Sequence, residues 1–241
     1  MKLTKRITVD GVAYQLNVDQ VRLDLFNPGR ASFDVDADKK LSGLVIFTAG
    51  YDPQQLQQVF FGWIENSFQI DKRQQRIFCR ELSSVLFRLV PMSLRNINIK
   101  EIVAAISAET GLEFIIPGAA YADKKAPAFF SVGSGYMCMD SIAQIFSIPK
   151  FIWQQQGDGK IFCGSWDDSY WAGKPVEIPV DMQDNSGLAN SAKIPALPKL
   201  RPGVQLSTGH YITKLQWDGQ HQNITWDANP WGTRWTNRSS V

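Results

Sequence analysis

The residue types that carry most enzyme chemistry are sparse in this chain of 241 residues. Its two histidines, His210 and His221, lie in a strand-rich stretch with no cysteine or carboxylate cluster at metal-ligand spacing. Three cysteines, Cys79, Cys138 and Cys163, contain no CxxC pair, so they read as reduced packing residues rather than a disulfide framework or a zinc site. The string SVGSGY, Ser131 to Tyr136, lacks the third glycine and the lysine of a phosphate cradle and reads as a turn leading into a helix. No GxSxG elbow, HExxH helix or calcium loop occurs. Asp167 and Asp168 sit beside Tyr170 and Trp171 in a turn, whereas glycoside hydrolysis needs two carboxylates held across a cleft. The expectation is a protein that is not an enzyme and uses no metal or cofactor.

Composition narrows the class. The chain is 44% hydrophobic, 20% charged and 12% aromatic, which excludes disorder, collagen and a coiled coil. A net charge of +2 argues against nucleic acid as the main partner. The opening MKLTKRITVDG has charges without an apolar segment behind them, unlike a secretory signal, and no run has the length of a membrane helix. These features predict a protein of the reducing cytoplasm, or one carried out by a route without a signal.

Residues 5 to 90 are predicted to be strands. Asp10-Gly11 splits two apolar runs as a hairpin turn does. Val21, Leu23 and Leu25 alternate with Arg22 and Asp24, and Ala31, Phe33 and Val35 form a second alternating set after the turn Asn27-Pro28-Gly29. LVIFTAGYD, QQVFFGWIENSFQI and QRIFCRELSSVLF follow as further strands, with Gly62 marking a bend or bulge. NINIKEIVAAISAETG is an amphipathic helix, with Asn98 and Glu101 as a capping box and Gly111 as its C-cap. LEFII and AFFSV are strands around the loop PGAAYADKKAP; Met139, Ile142, Ala143 and Phe146 mark a second helix, and FIWQQQ-GDGK-IFCG a hairpin. Two helices on one face of one small sheet would make this a compact module. A proline-rich loop spans 173 to 203, and VQLST, YITKLQWD and QNITWD resume the strands. The fold class is therefore α+β, mostly β: a small antiparallel β-barrel formed by residues 1–92 and 173–241, with an inserted two-helix α+β module at 93–172.

The order of these elements resembles the baseplate hub proteins of contractile phage tails, the group that includes late control protein D and the Mu-type tail hub protein. FFGWIENSF is similar to the family's aromatic-x-Gly-x-Ile strand, and IFCREL to the strand that pairs back onto it. A helix module containing GLEF follows, and LRPGVQLSTGHYITKLQWDGQHQNITW, opening on Arg201, Pro202 and Gly203, is similar to the late Pro-Gly, strand and hairpin segment. The resemblance runs from about Leu3 to Trp226. The inserted segment, NINIKEIVAAISAETGLEFII with CMDSIAQIF and IFCG, also resembles the small N-terminal domains of secretins and of outer-membrane signalling receptors. Family members are commonly longer, so any cell-wall hydrolysis or membrane puncture is expected of another chain.

The resemblance implies a virion structural protein of the tail baseplate, made in the host cytoplasm. It implies a homotrimeric ring in which each copy gives two similar barrels that together mimic a six-fold tail tube. Tail tube, spike and tape-measure proteins would be its partners, and DNA would pass through without specific binding. Phe60, Phe61 and Trp63, with the Trp217/Trp226 pair, are candidates for core or interface. Lys72, Arg73, Arg76, Arg80 and Arg88 form a basic run that is either a solvated strand face or a positive face toward the lumen or an acidic neighbour. The loop from Pro179 to Lys199 is a candidate docking segment, and Trp231 and Trp235 are candidate anchors on a neighbour. Two other readings stand beside the hub: a secretin-like or receptor-signalling envelope module, and a carbohydrate-binding protein that stacks sugars on Trp153, Trp166, Trp171, Trp231 and Trp235.

Overall fold

The computed structural model describes residues 2–185 and 189–232. The chain forms two units, one of residues 1–82 and 174–241, the other of residues 83–173. The first opens with β1 (Thr4–Val9) and β2 (Val12–Tyr14). Asp10 and Gly11 between them both take positive φ, 48° and 81°, the geometry that matches a two-residue turn to the twist of its strands. β3 (Leu16–Asp24) and β4 (Arg30–Asp36) bury the alternating sets read from sequence: Val21, Leu23 and Leu25, then Ala31, Phe33 and Val35. β5 (Leu44–Gly50) turns Val45, Phe47 and Ala49 inward, and β6 (Gln57–Gln69) and β7 (Gln74–Glu81) form the longest hairpin. The strand expected to run on through SSVLF ends at Glu81; residues Leu82–Phe87 instead form a 3-10 turn.

The second unit contains β8 (Met92–Ile97), α1 (Ile99–Thr110), β9 (Phe114–Ile115), α2 (Ala120–Asp123), β10 (Ala126–Ser131), α3 (Gly135–Ile145), β11 (Phe151–Gln155) and β12 (Ile161–Ser165). The capping box closes as expected: Asn98 accepts from the Glu101 N–H at 3.0 Å, and the Asn98 N–H donates to the Glu101 carboxylate at 2.9 Å. Gly111 ends the helix at φ 73°. Ile99, Ile102, Val103 and Ile106 are buried along one stripe, and Cys138, Met139, Ile142 and Ala143 do the same for α3. The single small sheet expected here is two. β8 pairs with β10, while β11, β12 and β9 form a separate three-stranded sheet. β8 and the short α2 fall in stretches, MSLRNI and AYAD, whose polar content gives no period.

The chain then returns to the first unit with β13 (Asp184–Asn185), β14 (Ser191–Pro195), β15 (Tyr211–Asp218) and β16 (His221–Asp227). VQLST forms only isolated bridges rather than a strand. The unit's sheet has 11 strands in the order β13-β14-β16-β15-β3-β4-β7-β6-β5-β1-β2.

That order corrects the expectation of a barrel, because the sheet does not close. Closure would pair β1 with β3, but both edges of each strand are already used. β1 lies between β5 and β2, and β3 lies between β4 and β15. Side chains join them instead. Lys5 of β1 donates to Asp19 of β3 at 2.7 Å, and the Trp217 indole N–H donates to the other oxygen of Asp19, also at 2.7 Å. Around this point the core is aromatic. Phe33 packs on Phe47 at 5.1 Å and on Phe60 at 6.1 Å, and Phe47 meets Trp217 edge-on at 5.9 Å.

Replacing Asp19 by alanine leaves a buried indole N–H without its acceptor and Lys5 without its counter-charge. The expected loss of stability is about 3 kcal/mol. Equilibrium urea unfolding measures it, and a loss below ~1 kcal/mol would show that the tie between β1 and β3 is dispensable.

Candidate functional site

The long hairpin of β6 and β7 carries most of the residues singled out from sequence. Strand alternation divides them between its two faces. Phe60 is fully buried against Phe33, so it belongs to the core and not to an interface. Phe61 and Trp63 point the other way and are half-buried. Gly62 is required by a close approach: a Cβ there would lie 1.9 Å from the Arg80 carbonyl oxygen. The bulges lie on either side of Gly62, at the register shifts between Phe47 and Thr48 and between Ile64 and Asn66. At the far end, Phe68 and Phe78 meet edge-on at 5.8 Å with both rings exposed, and Ile70 is exposed beside the turn.

The basic run does not form one positive face. Arg76 makes a bidentate pair with Asp34, both bonds at 2.7 Å, and Arg80 donates to Glu65 at 2.9 Å. Asp34 sits directly opposite Arg76 across the β4–β7 ladder, and this pairing, not sequence proximity, neutralises it. Lys72 and Arg73 occupy the turn, where the Asp71 carboxylate accepts from the Arg73 and Gln74 N–H groups at 2.7 and 2.9 Å. Arg88 lies beyond the 3-10 turn, in the second unit.

A buried acid sits where β7 ends. Glu81 accepts from the Gly29 N–H at 2.6 Å, in a space that only glycine leaves: a Cβ at Gly29 would lie 2.7 Å from Leu23 and 2.8 Å from the Glu81 carboxyl carbon. Burial pushes the Glu81 carboxyl up to about 7, against the opposing influence of Arg201 and of the Gly29 N–H. Arg201 itself donates to the Val59 and Gln58 carbonyls at 3.0 and 3.3 Å, at the bulge of β6. The Arg-Pro-Gly string thus returns to the first strands as a structural brace. No sequence signal singles out Glu81, because its partners lie 52 and 120 positions away (81 − 29 and 201 − 81).

In the second unit, residues 88–90 pair with 133–135, and an apolar patch flanks this contact. Leu89 is 75% exposed, Phe130 and Val132 70% each, Met137 60% and Phe87 55%. Phe87 stacks on Tyr136 at 5.6 Å, and Tyr136 meets Trp153 at 5.0 Å, which anchors the patch to the core. Exposed apolar surface gathered in this way makes the patch a candidate interaction face. Sequence reading assigned AFFSV to a strand but could not tell which phenylalanine faces out; Phe129 is buried and Phe130 is not.

Trp153, Trp166 and Trp231 are buried, Trp171 is half-buried and Trp235 lies outside the described residues. The three buried rings are closed to a sugar, which leaves Trp171 as the partly accessible ring among the described residues of that set. Trp231 packs on Tyr211 at 4.8 Å, within its own unit. Trp217 is core and Trp226 half-buried. The segment expected to be a docking loop contains β14, whose Ala192 and Ile194 are buried against the sheet. Asp167 and Asp168 are engaged by Lys150 at 2.8 Å and by the Tyr121 hydroxyl at 2.8 Å. The three cysteines are buried thiols, and His210 bonds Thr208. Among the described residues no helix is long and apolar enough to cross a membrane.

With this geometry in hand, the comparisons fall in one group. No protein-family model matches the chain. A 58.7 kDa protein encoded in the lys 3' region of Haemophilus phage HP1 is 31% identical over 237 residues, which is 95% of this chain and 44% of that one. The chain thus spans under half the length of this phage relative. Among solved structures, the 43 kDa tail protein of prophage MuSo2 from Shewanella oneidensis superposes with a TM-score of 0.68 at 8% identity, covering 94% of this chain and 97% of that one. A tail protein of Neisseria meningitidis gives 0.67 at 9% identity, with 96% and 98% covered. The chain has the fold of these tail proteins. An E. coli component of the type VI secretion system, described as similar in structure to bacteriophage T4 tail proteins, gives 0.61 at 13% identity over 91% and 76%.

The raised Glu81 carboxyl fixes the sign of a pH effect. Between the unfolded value near 4.5 and the folded value near 7, the folded state holds a proton that the unfolded chain has lost. Stability is therefore highest below that window, falls as pH rises through it and is level above it. The drop attributable to Glu81 is about 3 kcal/mol. Unfolding at about pH 5 and about pH 8 should show a larger drop for the native chain than for Glu81→Gln; equal drops in the two would refute the assignment.

Proposed function

We propose that this chain is a structural component of a phage or prophage tail, and that it acts at the baseplate hub, where copies form a ring joining the tail tube to the central spike. One observation carries the reading: the fold agrees with two tail proteins over nearly the full length of both partners. The sequence kinship with a phage HP1 protein supports it. The physical arrangement suits a part whose work is assembly. Its chemistry-bearing side chains are engaged in structural bonds, while apolar groups of the second unit and of the β6–β7 tip are left on the surface.

In this proposal three copies associate, and the apolar patch around Phe130 is one of the surfaces they or a tail partner cover. The two-helix unit, which resembles the N-terminal domains of secretins, presents that surface. Tube, spike and tape-measure proteins are the expected neighbours in the virion.

Size-exclusion chromatography with light scattering should give the mass of three chains. The triple substitution Leu89→Ser, Phe130→Ser, Val132→Ser should abolish association while leaving the thermal transition nearly unchanged, since exposed side chains contribute within about 0.5 kcal/mol each. A native chain that stays single at high concentration and on purified tail components would sink the ring; a triple variant that assembles normally would remove the patch from it.

A further inference from the structure

The strand register places three arginines in a single row on the solvent face of the first unit's sheet. Arg22 of β3 stands directly opposite Arg30 of β4, and Arg30 directly opposite Arg80 of β7. Neighbouring strands run about 4.8 Å apart, so three like charges lie on adjacent rungs, an arrangement that opposes sheet formation. Only Arg80 is compensated, by Glu65 at 2.9 Å. Among the described residues, Arg22 and Arg30 have no carboxylate at ion-pair distance. The nearest acid along β3, Asp24, accepts instead from the Phe26 N–H and the Asn27 side chain. The row lies in a groove of about 420 Å³, whose walls include Gln20, Ser32, Gln216 and the exposed ring of Phe78.

Two adjacent guanidinium groups without a counter-charge, Arg22 and Arg30, oppose the pairing of their strands, and their placement is explained if something outside the chain neutralises them. We propose that this groove binds an acidic protein segment, with carboxylate side chains taken by Arg22 and Arg30 and the aliphatic part of the segment lying on Phe78. Guanidinium groups match carboxylates by paired, parallel hydrogen bonds, and the Arg76–Asp34 pair on the same sheet shows that geometry realised. Nucleic acid fits less well. Two uncompensated arginines are too few for a phosphate backbone, which is held by many contacts. The chain's net charge of +2 agrees. The site is independent of the tail reading.

The test uses the full chain and a fluorescent hexaglutamate peptide, read by anisotropy at low salt, against Arg22→Gln/Arg30→Gln and the control Lys72→Gln/Arg73→Gln, which removes the same charge from the hairpin turn. The groove variant should bind at least about tenfold more weakly, the control within about twofold, because a bond to a charged group exceeds the free energy of a tenfold change. Arg22→Lys/Arg30→Lys, which keeps the charge but loses the fork, should fall between. The groove variant should also melt no lower than the native chain, since it relieves the like-charge row. Equal losses in groove and control variants, no binding by the native chain, or tighter binding of a labelled oligothymidylate of equal charge would each overturn the proposal. If the glutamine variant fails to fold, that contradicts the relief of repulsion, and the lysine variant still decides the binding.

Discussion

The first unit depends on one buried carboxylate. Asp19, on β3, receives Lys5 from β1 and the indole of Trp217 from the adjacent β15, and so ties β1 to a strand pair from which backbone pairing keeps it apart. A sheet of this length must curl to bury one face, and a curled sheet either closes on itself or needs some other means of holding its turns together. Here β2 and β15 occupy the edges that closure would use, so the side-chain tie replaces the missing ladder. Burial raises the Asp19 carboxyl above its ordinary value despite both bonds, so desolvation outweighs the partners. The value of the triad lies in position: it fixes where β1, β3 and β15 meet, and the Phe33–Phe47–Trp217 cluster then fills a space of defined shape.

The same constraint explains the irregularities of the neighbouring strands. β6 has to bend to follow the curl, and its two register shifts supply the bend on either side of Gly62. Bulges leave carbonyl groups without ladder partners, and Arg201 donates to those of Gln58 and Val59. The late segment of the chain is thereby fastened to its early strands, and the Tyr51 hydroxyl adds a second fastening by donating to the Ala196 carbonyl at 3.0 Å. Residues 173–203 look like loop in sequence because their prolines interrupt the period; Ala192, Ile194 and Ala196 are nonetheless buried on alternate positions in and just after β14, where Pro195 lies beyond the two residues that β13 pairs and needs no ladder partner on that side.

What was legible in the sequence was local. The hairpin at Asp10-Gly11, the capping box of Asn98 and Glu101, and the inward faces of β3, β4 and both long helices follow from patterns a few residues wide. What was not legible depended on register between distant strands. Phe60 and Trp63 are similar in sequence context, yet one is core and the other half-buried; alternation puts them on opposite faces, but which face is inward is set by pairing with β5 and β7. The basic run looked like a stripe because its members are close in sequence. Across the ladder Arg76 faces Asp34, while Arg80 faces Arg30, which the sequence places fifty positions away (80 − 30).

That redistribution of charge separates two kinds of surface. Arg76 and Asp34 are complete within the chain and ask nothing of a partner; the Arg22–Arg30 row and the patch around Phe130 are incomplete in the free chain, one electrostatically and the other by exposed apolar area. Incompleteness of both kinds is expected of a protein that is finished only by assembly, because a surface satisfied in isolation gains nothing on association. The buried Glu81 carboxyl belongs with the first kind: it is sealed in the sheet and bonded to a backbone N–H, and its raised proton affinity is expressed in the stability of the fold.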